Sequence, residues 1–389
     1  MKSRFSFRFA PVLAMVAALA MMIPSALTAQ EPKGEPVVIG VGAPMTGRSA
    51  AFGTQVRYGT LLAEKELNAK GGILGRPVKM LIKDDASVAN DTAVVAQSLA
   101  GDKSVVAVVG HFNSDCSSAA KSIYTNAGMV MFSPASTNVA ITQNSDFVFR
   151  NIFNDRDQGY ALAHFVAEAL KAKRVAVLYE NDTYGKGLRD DFTLKGKELG
   201  LEILNDLSYE TDATDFRPLL TQIKGNKPDV IVTCGLYKSG GTIARQAREL
   251  RIASALVGGD GMFDDELAKV GGKAAEGYYA SAPFLVEGAG ERATKLRDDI
   301  KTMFGENGNA WAALAYDAAM IIAQAAENQK SVDRKAIRDG IAAMNSPEKA
   351  FPGITGKTYF NEEGDTLKRV LFAQVKDGRF QLSDKQLPE

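Results

Sequence analysis

The 389 residues carry 46 basic and 46 acidic side chains, and 46% of the chain is hydrophobic. That balance leaves no basic footprint for nucleic acid or an anionic membrane surface, and the length exceeds what one compact core usually holds, so two lobes are expected. The 2 cysteines allow at most one disulfide, and the 2 histidines, His111 and His164, show no metal-ligand spacing and are expected to be structural.

Residues 1–29 place Lys2, Arg4 and Arg8 ahead of an apolar run at 10–23, followed by Pro24, Ser25 and small residues at 26–29. This is the pattern of a secretory signal peptide cleaved after Ala29, and the apolar run is shorter than the ~20 residues that span a bilayer. No cysteine precedes Cys116, so no lipid anchor of the bacterial type is expected and the mature chain should be soluble in the periplasm. Without the three basic residues of the leader, 43 basic face 46 acidic side chains.

Strand-like and helix-like segments then alternate. Strands are predicted at 37–42, 78–83, 105–109, 129–132 and 148–152, with helices at 54–70, 92–99 and from Ser114 and Asp115 onward. A second series has helices at 158–171, after Tyr184, at 215–223 and at 240–250, interleaved with strands at 175–179, 201–207, 230–234 and 255–257. The strands are continuous apolar runs, the mark of parallel sheets covered on both faces, and two similar series imply two similar lobes. After 277–283 the pattern changes to three helices in succession, 291–304, 310–328 and 334–344. The chain closes on strand-like 359–361 and 369–375 flanking the turn EEGDT.

One stretch, 105–137, concentrates polar chemistry at two strand ends on either side of a helix. In an open parallel sheet, ligands sit beyond the carboxyl ends of the strands, where helix N-termini offer free N–H groups and partial positive charge. A carboxylate is expected at Ser114. Past Pro134 the strand bonding cannot continue smoothly, so the Ala135 carbonyl and Thr137 hydroxyl are left for an ammonium group. Elsewhere, Gly40, Gly42 and Gly47 lack the third glycine of a dinucleotide loop, with Met45 in its place, and neither GxSxG nor GxxxxGK[ST] occurs. Asp84 and Asp85 are expected to point to opposite faces of a strand, so they do not pair as acid and base.

In order and spacing, VVIGVGAPMTG followed by AAFGTQVRYG, then LNAKGGILGRPVKMLIKDDAS, VVGHFNS, SPAST, NDTYGKG, GGDGMF, AYDAAM and FPGITGKTYFNEEGD resemble one family across essentially the whole chain after the leader. It is the periplasmic branched-chain amino-acid binding proteins of ABC transporters. The resemblance implies an α/β protein of type I periplasmic binding fold, with two similar Rossmann-like lobes joined by three hinge crossovers near 150–154, 278–282 and 355–358. The lobes are expected at 36–152 plus 281–355 and at 153–280 plus 358–389.

The resemblance also implies residue roles. Ser114, with neighbouring backbone that includes Phe112, receives the ligand carboxylate; Thr137 and the Ala135 carbonyl hold the ammonium; Asp260 stands where the best-known members carry glutamate. Phe52, Tyr184 and Tyr316 fall where aromatic residues wall the pocket, and Tyr237 does so if the equivalent tyrosine does not align at Leu236. No cofactor or metal is implied, the partners are an amino-acid ligand and a membrane permease, and a monomer suits the task. A disulfide of that family, between the positions of Ser87 and Asn113, is missing, and Cys116 and Cys234 are expected to be free thiols. Relatives of this kind also bind amides, urea or aromatic acids, which remain alternative ligands, and a secreted hydrolase is the further alternative.

Overall fold

The computed structural model describes residues 1–2 and 31–388; apart from its first two residues, the expected signal peptide lies outside the described residues. The first series forms β1 (Val37–Ala43), α1 (Ala50–Ala69), β2 (Val78–Asp84), α2 (Ala89–Gly101), β3 (Val105–Gly110), α3 (Ser114–Asn126), β4 (Val130–Ser133) and β5 (Val148–Arg150). These strands pair in parallel in the order β2-β1-β3-β4-β5. Burial of β1, β3, β4 and β5 along their whole length explains why their sequences run apolar without alternation. Their side chains still part between two faces: Ile39 and Val41 join the core that contains α1, whereas Val38, Val105 and Val108 pack under α2 and α3.

The second series forms α4 (Asp155–His164), continued by one wider turn to Ala169, then β6 (Arg174–Glu180), α5 (Thr183–Glu198), β7 (Glu202–Tyr209), α6 (Arg217–Asn226), β8 (Val230–Cys234), α7 (Tyr237–Glu249), β9 (Ala255–Gly258), α8 (Asp265–Gly271) and β10 (Tyr279–Ala282). Parallel pairing in the order β7-β6-β8-β9-β10 repeats the order of the first sheet, so both lobes place their first strand between the second and third. The crevice at such a reversal of strand order opens at the carboxyl ends of the strands.

Three helices follow, α9 (Glu291–Phe304), α10 (Ala310–Gln329) and α11 (Arg334–Ala342), and they return to the first lobe. Phe304 stacks on Tyr58 of α1 at 4.3 Å, and Arg334 donates to the carbonyls of Val105, Ala100 and Asp102. A hairpin of β11 (Phe351–Gly353) and β12 (Gly356–Thr358) precedes β13 (Leu371–Lys376) and β14 (Arg379–Leu382), which extend the second sheet in antiparallel fashion from β10.

The chain crosses between the sheets after β5, after β10 and again between β12 and β13. The last two crossings lie further along than expected, because β10 belongs to the second sheet and Phe360 packs on Phe132 and Phe149 of the first lobe. The Arg150 backbone N–H donates to Gly364 at 3.1 Å and its Nε to Asp365 at 2.6 Å, which keeps residues 360–365 on the first lobe.

Across the seam, Arg48 in the turn after β1 pairs with Glu180 at the end of β6 and, at 3.0 Å, with Asp182, which caps α5. Asp115 at the start of α3 accepts from the Thr183 hydroxyl and, at 3.1 Å, from its backbone N–H, and Asn138 Nδ2 donates to the Thr183 carbonyl at 2.9 Å. Burial pushes both Glu180 and Asp182 upward in pKa, and the Arg48 guanidinium pulls the other way without cancelling it.

Arg48→Ala should weaken the closed arrangement by roughly 1.5–3 kcal/mol, the range for hydrogen bonds to charged groups. A larger radius of gyration in small-angle scattering checks this, and a profile identical to that of the unsubstituted protein contradicts it. A second expectation concerns the α1–α10 contact, where a Cβ on Gly59 would lie 2.0 Å from the Ala312 carbonyl oxygen. Gly59→Ala forces these helices apart and should cost about 1–3 kcal/mol in urea denaturation.

Candidate functional site

The carboxyl end of β3 and the start of α3 supply the first half of the site. Asn113 precedes α3 in extended conformation and makes no side-chain cap, so the first N–H groups of the helix are not satisfied by it. Ser114 is the first helical residue, is buried, and accepts from the Asn138 N–H at 3.4 Å through Oγ. Beside it, Ser133 Oγ donates to the His111 carbonyl at 2.8 Å and Ser136 Oγ to the Phe112 carbonyl at 2.9 Å, while Ser117 and Ser136 meet at 2.6 Å. These three serines knit the two strand ends together. Ala135 and Thr137, both buried, sit on the loop they shape.

The second half comes from the other sheet. Asp260, 3% exposed, lies just past β9 and accepts at Oδ1 from Gln158 Nε2 at 2.9 Å and from the Tyr184 hydroxyl at 2.7 Å. Gln158 returns the contact by accepting from the Asp260 N–H, and the Tyr184 oxygen accepts from the Gly261 N–H, so the carboxylate is held at side chain and backbone together. Burial pushes the Asp260 carboxyl up to about 6, with the Tyr184 and Gln158 bonds pulling the other way. Tyr184, expected as a wall of the pocket, therefore also works through its hydroxyl.

Aromatic rings close one side. Phe52 on α1 stacks on Phe112 at 4.6 Å, and both meet Trp311 at the start of α10, at 5.2 and 5.1 Å. Tyr237, the first residue of α7, brings an edge onto Phe52 at 5.0 Å, and Trp311 Nε1 donates to the Phe263 carbonyl at 3.1 Å, so the cluster spans both lobes. Tyr316 is placed differently. It lies five residues beyond Trp311, roughly 140° round the helix, and its hydroxyl donates to Glu66 on α1 at 2.8 Å. The structure does not bring it to the other rings by any described contact.

Trp311, Gln158 and Arg48 were not singled out from the sequence. The only tryptophan of the chain, at the head of an alanine-rich helix, was the one available signal. His111 is buried, with Nδ1 2.7 Å from Asp85 and Nε2 3.2 Å from the Tyr124 hydroxyl, whereas Asp84 turns the other way to Met45 and Thr46. Cys116 and Cys234 are free and buried. Among the described residues no group of three or more His, Cys, Asp or Glu is arranged to hold a metal ion, and no helix is long and apolar enough to cross a membrane.

Residues 36–379 match the family described as periplasmic binding protein. A Leu/Ile/Val-binding protein homolog 2 from Brucella abortus (strain 2308) is 31% identical over 333 residues, which cover 85% of this chain and 87% of that protein. Among solved structures, a leucine binding protein LivK from Thermotoga maritima MSB8 is 34% identical with a TM-score of 0.84, over 90% of this chain and 99% of that one. The branched-chain amino acid transporter substrate binding protein LivJ from Streptococcus pneumoniae, in complex with isoleucine, is 31% identical with a TM-score of 0.84, over 91% and 100%. With a family match across nearly all described residues and relatives aligned along most of their length, the chain belongs to the periplasmic binding protein family.

Proposed function

We propose that the protein is a periplasmic solute-binding protein of an ABC importer, which captures an aliphatic or branched-chain amino acid between its lobes and hands it to a membrane permease. The observation that carries this reading is that each sheet supplies one of two unlike half-sites at its strand ends: the open N-terminus of α3 at Ser114 from the first, and the buried Asp260 carboxylate from the second. A zwitterion has one charge for each. Ser114 and the backbone near Phe112 take the carboxylate, the Ala135 carbonyl, Thr137 and Asp260 take the ammonium, and Phe52, Tyr184 and Tyr237, with Trp311, enclose the side chain. The three crossings act as the hinge, and a ligand favours closure because it contacts both lobes. The names of the relatives, which bind leucine, isoleucine or valine, support the ligand class. The chain does no chemistry on its cargo and works as a monomer that leaves the membrane by cleavage of its leader.

Leucine, isoleucine or valine at about a hundred times its dissociation constant should raise stability by roughly 2.7 kcal/mol. A thermal-shift screen that finds stabilisation by urea, short amides or aromatic acids and none by these amino acids overturns the choice of ligand. Asp260→Ala should weaken leucine binding severely in calorimetry, since it removes the charged partner of the ammonium. Leucine pairs with the ionised carboxylate alone, so its affinity should fall as pH is lowered through about 6 and recover as pH rises. Asp260→Asn should remove most of that dependence.

A further inference from the structure

The charges at the seam between the lobes do not balance. Arg48 is a single cation and faces three carboxylates: Glu180 at the end of β6, Asp182 at the head of α5 and, at 3.8 Å, Asp115 at the start of α3. The Glu180 and Asp182 side chains are 2% and 6% exposed, whereas that of Asp115 is 30% exposed and reaches water. The buried part of the cluster therefore sets two anions against one guanidinium. Among the described residues no second cation pairs with either buried carboxylate. Lys238 at the start of α7 donates across the seam to the Gly47 carbonyl at 3.5 Å. Tyr209 at the end of β7, which burial keeps neutral, meets the Ser239 hydroxyl at 3.0 Å. The remaining donors are backbone N–H groups, from Gly185 to Asp182 Oδ1 at 2.7 Å and from Leu236 to Glu180.

A buried carboxylate short of counter-charge is stabilised by a proton. Opening of the lobes takes Arg48 and Asp115 away from Glu180 and Asp182 and admits water, which returns both acids toward the ordinary carboxylate range. In the closed arrangement burial pushes both upward, and Arg48 does not cancel the push. The closed form then binds more protons than the open one, so closing is favoured as pH falls through the raised values and disfavoured as pH rises. We propose that closing the lobes takes up a proton at the Glu180–Asp182 pair, so that the Arg48 seam is a pH-sensitive latch that tightens as its surroundings acidify. The proton comes from solvent or buffer and forms an O–H bond on one carboxylate, while the other keeps its ion pair with Arg48. Asp182 is held as the cap of α5, where the helix N-terminus favours negative charge, so Glu180 is the group that takes the proton. The latch lies beyond the capture of cargo and does not depend on which ligand is bound. Its sign is opposite to that of Asp260, whose protonation weakens binding.

Calorimetry of leucine binding to the full chain, in buffers of different ionisation enthalpy, counts the protons exchanged on closing. Near neutral pH, above the value of about 6 at which Asp260 titrates, that carboxylate adds little of its own. There the unsubstituted protein should take up roughly half to one proton, and Glu180→Gln, which keeps the shape without the charge, should take up none. Raising the pH from about 7 to about 8.5 should weaken leucine binding roughly 3- to 10-fold in the unsubstituted protein and less than about twofold in Glu180→Gln. Release of protons, no exchange, or equal uptake by the variant overturns the latch and leaves the amino-acid reading standing. If the variant does not fold or leucine does not bind, small-angle scattering of the ligand-free, unsubstituted protein decides. Its radius of gyration should shrink as pH falls from about 8.5 to about 6.5, and a constant or growing radius overturns the proposal. Failure of leucine to bind counts against the choice of cargo alone.

Discussion

The guanidinium of Arg150 is the interaction on which the arrangement of the site depends. It is fully buried, and its N–H groups reach Asp365, the carbonyls of Ser136 and Asn138, and the Thr142 hydroxyl. One charge thus ties the loop that presents Thr137 to the end of β5, where the chain first leaves the lobe, and to the segment that later crosses back. Asp365 in turn accepts from Asn154 Nδ2 at 3.0 Å and from Thr142 at 2.8 Å, so the carboxylate is as fully engaged as the cation. A planar fork with fixed donors suits this task better than a lysine, which could reach one acceptor well but not several in different directions. Removing either partner leaves the other charge buried and alone, which is why such pairs hold geometry even when they add little net stability.

The strand and helix series was legible because parallel strands covered on both faces write themselves as apolar runs, and the ends of those runs are where polar residues stand out. Ser114, Ala135, Thr137 and Asp260 stand at such ends, and all four are buried in the structure. Shorter elements were not legible. The β11–β12 hairpin exists because Asp317 on α10 accepts from the Ile354 and Thr355 N–H groups, a partnership with no local trace in the sequence. The same limit hid Gln158, whose partner Asp260 lies about a hundred residues away, and Arg48, whose carboxylates lie further still. Tyr316 is a different case, because its helix carries aromatic residues on more than one face and pattern alone does not say which face looks into the cleft; in the structure its hydroxyl donates to Glu66.

The seam carries two groups of acidic side chains with opposite needs. Glu180, Asp182 and Asp115 meet Arg48, so the protein supplies their counter-charge itself. Asp260 meets only neutral donors, from Tyr184 and Gln158. The first group favours a closed shape whatever is bound, and the second leaves a charge for something else to complete. A binding protein that must both hold cargo and release it gains from this division, since the built-in contacts lower the closing cost without removing the dependence on ligand.

Trp311 adds a property of a different kind. It is the only tryptophan in the sequence, it meets two rings of the first lobe edge to face, and its indole N–H bonds to a carbonyl of the second. Any separation of the lobes must break that bond and wet one edge of the ring. The molecule therefore carries its single tryptophan at the joint between the lobes, and selectively excited indole emission reads whether that joint is open or shut without any label.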